Sequence, residues 1–153
     1  MKGMRIAAAA LGLIVAGLGG VAALAGAAEQ KQTLKQLMGE NFAGLQQILV
    51  SLINSNYSGV PAPVKVIQEH ATALTGMVPA NAQAERDRFL SYAYELRTHA
   101  ADLDSIAKAL MEHDKGKEQL ATDSLREAAA AHYGGMVTMC VACHNRFRPG
   151  AAR

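Results

Sequence analysis

Tryptophan is absent from this chain, and phenylalanine and tyrosine supply only 3 and 4 of its 153 residues. Half of the residues are hydrophobic, but alanine makes up much of that half, with 14 glycines besides. Small side chains let helices approach closely and leave little aromatic mass to fill the space between them. Cysteine is scarcer still. Both cysteines fall in one five-residue stretch, so no disulfide framework is available. Strand-like alternation of useful length is missing throughout, which excludes a sheet architecture. A basic stripe is missing too. Apart from Lys2 and Arg5, 13 basic residues stand against 13 acidic ones, a balance that argues against nucleic acid as a partner. No carboxylate pair or triad-like constellation points to an enzyme.

The first 28 residues form a region of their own. Lys2 and Arg5 make a basic start, and Ile6 through Ala28 carries no charge. Ala23-Leu24-Ala25 and Ala25-Gly26-Ala27 both satisfy the small-x-small cleavage rule, so a secretory signal peptide is the leading reading. An uncharged stretch of this length is also within reach of an N-terminal membrane anchor. Either route exports residues 29–153, and the expected location is the periplasm, as a soluble domain or tethered by the uncleaved helix.

From Glu29 the pattern is helical. Leu34, Leu37/Met38, Asn41, Leu45, Ile48 and Leu52 recur at three and four, an apolar stripe with one polar member, predicting a helix from about 30 to 54. Asn54 through Gly59 breaks it. Pro61 and Pro63 suit a loop or a helix's first turn. Val64, Ile67, Ala71, Leu74 and Val78 mark a second helix ending near Gly76–Pro79. A third begins around Gln83, with Phe89, Ala93, Leu96, Ala100, Leu103, Ala107 and Leu110 as its stripe, and Asp114 through Lys117 ends it. The fourth runs from about Glu118 to Phe147, with Leu120, Leu125, Ala128, Ala131/His132, Gly135, Met139 and Cys143 turned inward. Four such helices with three short links predict an all-α, antiparallel up-down-up-down four-helix bundle over residues 29–153.

Near the end of the fourth helix lies Cys140-Val141-Ala142-Cys143-His144. Two thiols three apart, with an imidazole directly after the second, are the attachment signature of a c-type haem. The cysteines add across two vinyl groups as thioethers, and His144 supplies the proximal iron ligand. A thioredoxin-like pair belongs beside a strand, and none is present. A zinc ribbon needs a second ligand pair, yet His70, His99, His113 and His132 are scattered singly. An inert buried pair or an adventitious metal site is the remaining alternative. One covalent haem c would also supply the aromatic mass that the composition lacks.

In an antiparallel bundle the first helix faces His144 with the residues near its own start, namely Leu34, Lys35 and Met38. Three readings of that second face stay open: Met38 ligates iron through its thioether, Leu34 covers an open iron site, or Lys35 ligates as a neutral amine. Phe42 is the best-placed ring to stack on a porphyrin. His132 suits packing or a propionate hydrogen bond better than ligation, and Tyr133 is a weaker candidate for the haem edge. His70 and His99 read as surface or satisfied interface groups. Arg146, Arg148 and Arg153 are ordinary solvated charge, or they pair with propionates or dock a partner.

The length, the helical pattern and the motif near the end, Cys140 through Arg148, resemble the class II c-type cytochromes, the cytochrome c′ and c556 group. More weakly, Lys31 through Leu45 share in the likeness. The resemblance implies that Phe147 and Arg148 hold the places of an aromatic and an arginine that commonly follow the histidine, with Arg148 beside the proximal ligand. It also implies Lys31 as a propionate partner and Lys35 at the distal position, where the family has methionine or an apolar residue. Lysine is neither. Pairing into a homodimer through the first two helices is a further implication, although the stripes show no second apolar face that requires it. The function implied is one-electron transfer with a periplasmic or membrane redox partner. The alternatives are a five-coordinate haem protein for nitric oxide or carbon monoxide, and a haem-containing structural subunit of a membrane complex.

Overall fold

Thr33 and Gln36 set where the first helix begins. The Thr33 hydroxyl accepts the Gln36 N–H at 3.2 Å, and Gln36 Oε1 accepts the Thr33 N–H at 2.8 Å, a reciprocal capping box. Helix α1 therefore spans Leu34–Ile53, not a start near residue 30, because Thr33 is extended at φ −79° and ψ 151°. The computed structural model describes residues 33–113 and 119–148. The readings for residues 1–28, Lys31 and Arg153 lie outside the described residues. Thr33→Ala removes the cap and should lower stability by about 1 kcal/mol, read as a shift in the urea midpoint.

A 3-10 turn at Tyr57–Gly59 links α1 to α2, Pro61–Leu74. The turn runs hard against the end of α1: a Cβ on Gly59 would fall 2.5 Å from Ser51 Oγ. Pro61 occupies the first position of α2, where its missing N–H costs no intrahelical bond. The helix stops at Leu74 rather than running on to Val78. Pro79 biases the residue before it toward extended backbone, and Gly76 and Met77 close the end with turn hydrogen bonds to Ala73 and Leu74. A second 3-10 segment, Ala80–Glu85, precedes α3, Arg86–His113. Glu85 thus sits just before α3.

The contacts establish an antiparallel order. Asn41 near the start of α1 meets His70 near the end of α2, and Leu74 shares a cluster with Phe89 at the start of α3. Helix α4, Gln119–Phe147, runs back along α3, so that Arg146 reaches Glu85 and His132 meets His99. Arg126 Nε donates to Tyr57 Oη at 2.9 Å and closes the circuit beside the end of α1. The seam between α3 and α4 is the most extensive, and that between α1 and α4 the least extensive of the four. Among the described residues no helix is long and apolar enough to cross a membrane.

All seven stripe residues of α3 are buried. On α4 the pattern differs from the sequence expectation. Ala129, Met136 and Phe147 are the buried apolar positions, whereas Leu125, Ala128, Gly135, Met139 and Cys143 are half-buried and Ala131 is exposed. Alanines and glycines give this helix little contrast between its sides. Its apolar surface is divided between the α3 seam and a cleft toward α1. Helix α1 also leaves Phe42, Leu49, Val50 and Ile53 outward, an apolar set that the stripe along its buried side did not announce.

Candidate functional site

Cys140, Cys143 and His144 stand at i, i+3 and i+4 on α4, so helical geometry alone gathers them on one face. Three contacts tie that end of the helix down. The Phe147 ring packs edge-on against Phe89 and Tyr92, with centroids 5.6 and 6.2 Å away. The Phe147 carbonyl accepts from Asn81 Nδ2 at 2.5 Å. Arg146 grips the Glu85 carboxylate with two nitrogens, Nε at 3.0 Å and Nη2 at 2.5 Å. Arg148 is exposed just past the helix, its N–H bonded to the His144 carbonyl at 3.1 Å. Arg146 thus braces the motif through Glu85, which lies just before α3.

Two cavities open beside these residues. A cleft of about 370 Å³ lies between α1 and α4, bordered by Phe42, Leu45, Tyr133 and Val137. A second, small space of about 20 Å³ is bordered by Leu74, Phe89 and Leu96. Met38, Asn41, Cys140 and His144 border both, so the two spaces of this recess share a wall. No Lys, Arg, Asp or Glu borders either space.

Of the three candidates for the facing side, Met38 borders both cavities. Leu34 is half-buried and packs with Met38 and Cys143 on the cluster around Leu37 and Phe147. Lys35 is exposed and borders neither space. Phe42 borders the wider cleft but is 63% exposed. Tyr133 lines the same cleft, and burial pushes its phenol up. His132 is engaged elsewhere: its Nδ1 lies 3.3 Å from His99 Nδ1 and 3.5 Å from Asp102 Oδ2. Gly135 makes room for that pair, since a Cβ there would meet the His99 ring at 2.6 Å.

Sequence reasoning missed the polar group at the heart of the recess. Asn41 is 3% exposed. Its Oδ1 lies 2.8 Å from Nδ1 of His70, which is buried, and His70 Nε2 lies 3.1 Å from Glu40 Oε2. Asn41 Nδ2 has no hydrogen-bond partner. The signal was present as the one polar member of the α1 stripe. His70, read as a surface or satisfied interface group, is the buried interface residue that orients it.

Burial pushes both thiols up. Cys143 reaches about 11, through desolvation first and the neighbouring Cys140 charge second. At neutral pH both are protonated thiols, poorly nucleophilic and slow to oxidise. In the free-thiol protein, Cys143 at pH 8 carries about a hundredfold less thiolate than an unperturbed thiol. Alkylation by iodoacetamide should be correspondingly slower in the native protein than in urea, the gap closing as pH approaches 11. The sign for stability follows. A folded value raised above the unfolded one adds stability that is complete below pH 9 and lost as pH rises through about 11.

Comparison of the chain with protein-family models, curated proteins and solved structures finds no match. Among the described residues no group of three or more His, Cys, Asp or Glu side chains is placed to hold a metal ion. What the recess offers is two thiols and one imidazole on a helix face, a thioether nearby, and a mainly apolar lining.

Proposed function

We propose that this chain carries one haem c, attached through Cys140 and Cys143 with His144 as proximal iron ligand, and serves one-electron transfer in the periplasm in the manner of the class II c-type cytochromes. The observation that carries this reading is that Cys140 and His144 border the cleft between α1 and α4 and, with Cys143, the small space beside it. A site of about 300–1,000 Å³ is usual for a small-molecule or cofactor ligand, and the cleft of about 370 Å³ is of that order. Its donor set fits the group: a porphyrin brings its own four equatorial nitrogens, so one imidazole and one facing ligand complete the iron. Bound there, the haem would supply a one-electron iron couple.

The chain's own residues do the rest. Cys140 and Cys143 hold the ring edge, and the Phe147, Asn81 and Arg146 contacts hold the helix end that carries His144. Met38 is the facing ligand in this reading, because it borders both cavities while Lys35 is exposed. Leu45, Val137 and Leu96 exclude water. Arg148 remains the candidate for the haem's edge charges. The exposed set on α1, Phe42, Val50 and Ile53, is where a second copy would pair. Export by residues 1–28, cleaved or retained as an anchor, is part of the same reading.

A second reading, binding of a small gas at an open iron, is favoured by one observation: half-buried Leu34, the apolar candidate for the facing side, packs on the same cluster as Met38 and Cys143. Optical spectra separate the two. A low-spin ferric spectrum with a thioether-to-iron band in the far red, lost in Met38→Leu, supports the electron carrier. A high-spin spectrum that responds at once to carbon monoxide supports gas binding.

A further inference from the structure

We propose that His99 and His132 form a binding site for one divalent transition cation across the seam between α3 and α4, with solvent completing the coordination and Asp102 beside it as counter-charge. Neither histidine borders the recess, and the inference does not depend on the haem reading. His99 Nδ1 and His132 Nδ1 lie 3.3 Å apart, and Asp102 Oδ2 lies 3.5 Å from the same His132 nitrogen. Both separations are long for a hydrogen bond, whose heavy atoms usually stand about 2.7–3.2 Å apart. They suit the surroundings of one ion better. Two imidazole nitrogens at about 2.0–2.1 Å from a tetrahedral centre stand about 3.3–3.4 Å from each other.

The surrounding chain supports the pair. The rings meet at 63° with centroids 5.4 Å apart, so they approach through their edges and do not stack. Gly135 on α4 admits the His99 ring, since a Cβ there would meet it at 2.6 Å, and glycine is otherwise a poor choice in a helix interior. His99 and Asp102 are three apart on α3 and share a face. All three side chains are half-buried, open enough for a hydrated ion to enter. Imidazole is a ligand of zinc, copper and nickel, whereas calcium and magnesium take oxygen donors. Two protein ligands, with no third placed to join them, make the site open and exchangeable, unlike the closed four-ligand sites of structural zinc. An ion held there bridges two helices in the folded chain only, so it stabilises the fold as its concentration rises.

The test uses the exported full chain, its thiols carried by haem or, failing that, removed by Cys140→Ala and Cys143→Ala, with zinc ion alone as the probe. Calorimetric titration should show one zinc per chain, and the urea midpoint should rise with zinc. His99→Gln and His132→Gln keep a hydrogen-bonding side chain but lose the ligand nitrogen. Each should weaken binding beyond the about tenfold to hundredfold expected of Asp102→Asn and cancel the rise in midpoint. Far-ultraviolet circular dichroism without metal controls for folding. Zinc-edge X-ray absorption of the parent needs no variant and should show two imidazoles at about 2.0 Å. A parent that takes up no zinc overturns the assignment, and the two histidines are then a packing contact. So does binding that survives either glutamine variant, or an ion with fewer than two imidazoles on it. Bare polypeptide mass beside an intact zinc site would sink the haem reading alone.

Discussion

Exported protein carrying Cys140→Ala and Cys143→Ala together will have the mass of the bare polypeptide, while the parent protein will be heavier by one haem. Each single variant will keep one thioether and therefore a covalent haem, with an altered reduced spectrum. The reasoning is local. The two thiols are the chain's only cysteines, they share a face of α4 with His144, and no other side chain can form the bond. Both are half-buried, so losing a sulfur from each leaves the helical signal intact. His144→Ala will keep the thioethers and lose the axial nitrogen, converting the spectrum without changing the mass. A parent protein without haem, made in a host with a working attachment system, would end the reading outright.

Phe147→Ala will destabilise the bundle by about 3–5 kcal/mol. Phe147 is 6% exposed and is the last buried residue of α4. Its ring fills the end of the bundle between Phe89 and Tyr92, and edge-to-face pairs of this kind add about 0.5–1.5 kcal/mol beyond area burial. The comparison is Arg146→Ala. That side chain lies at the surface, and exposed ion pairs contribute about 0–1 kcal/mol, so its loss will be small despite the two-nitrogen grip on Glu85. Urea denaturation of the four proteins, with Phe147→Leu as the volume-restoring control, measures the difference. A cost below about 1 kcal/mol for Phe147→Ala would mean that the end of α4 is held by something other than this ring. The consequence for the motif is direct, since Phe147 stands three residues beyond His144.

Much of the architecture was legible before any coordinates. The α3 stripe, Phe89 through Leu110, is buried at every position read from the spacing, because a long helix packed on both sides repeats its contacts every three to four residues. Pro61 at the start of α2 was equally plain. The errors have local causes. Helix α1 begins at Leu34 because of the pairing between Thr33 and Gln36, and α2 ends early because of Pro79. On α4 the stripe slid by one position, Ala129 and Met136 in place of Ala128 and Gly135, since alanines and glycines carry almost no information about which side faces in. For the recess, Cys140, Cys143, His144 and Met38 could be named from spacing. Asn41 could only be noticed as an oddity, and nothing in the local pattern marked Arg146 as the arginine that grips Glu85.

The sequence by itself determined that the chain is helical and that two thiols and an imidazole share one helix face, because both follow from periodicity within a few residues. Tertiary structure alone decided what surrounds them. Asn41 and His70 are 29 positions apart, and Glu85 and Arg146 are 61 apart. Nothing in the local pattern of either partner encodes the other. Only when four helices close on a common core does an odd polar residue acquire a clamp on one side and a recess on the other.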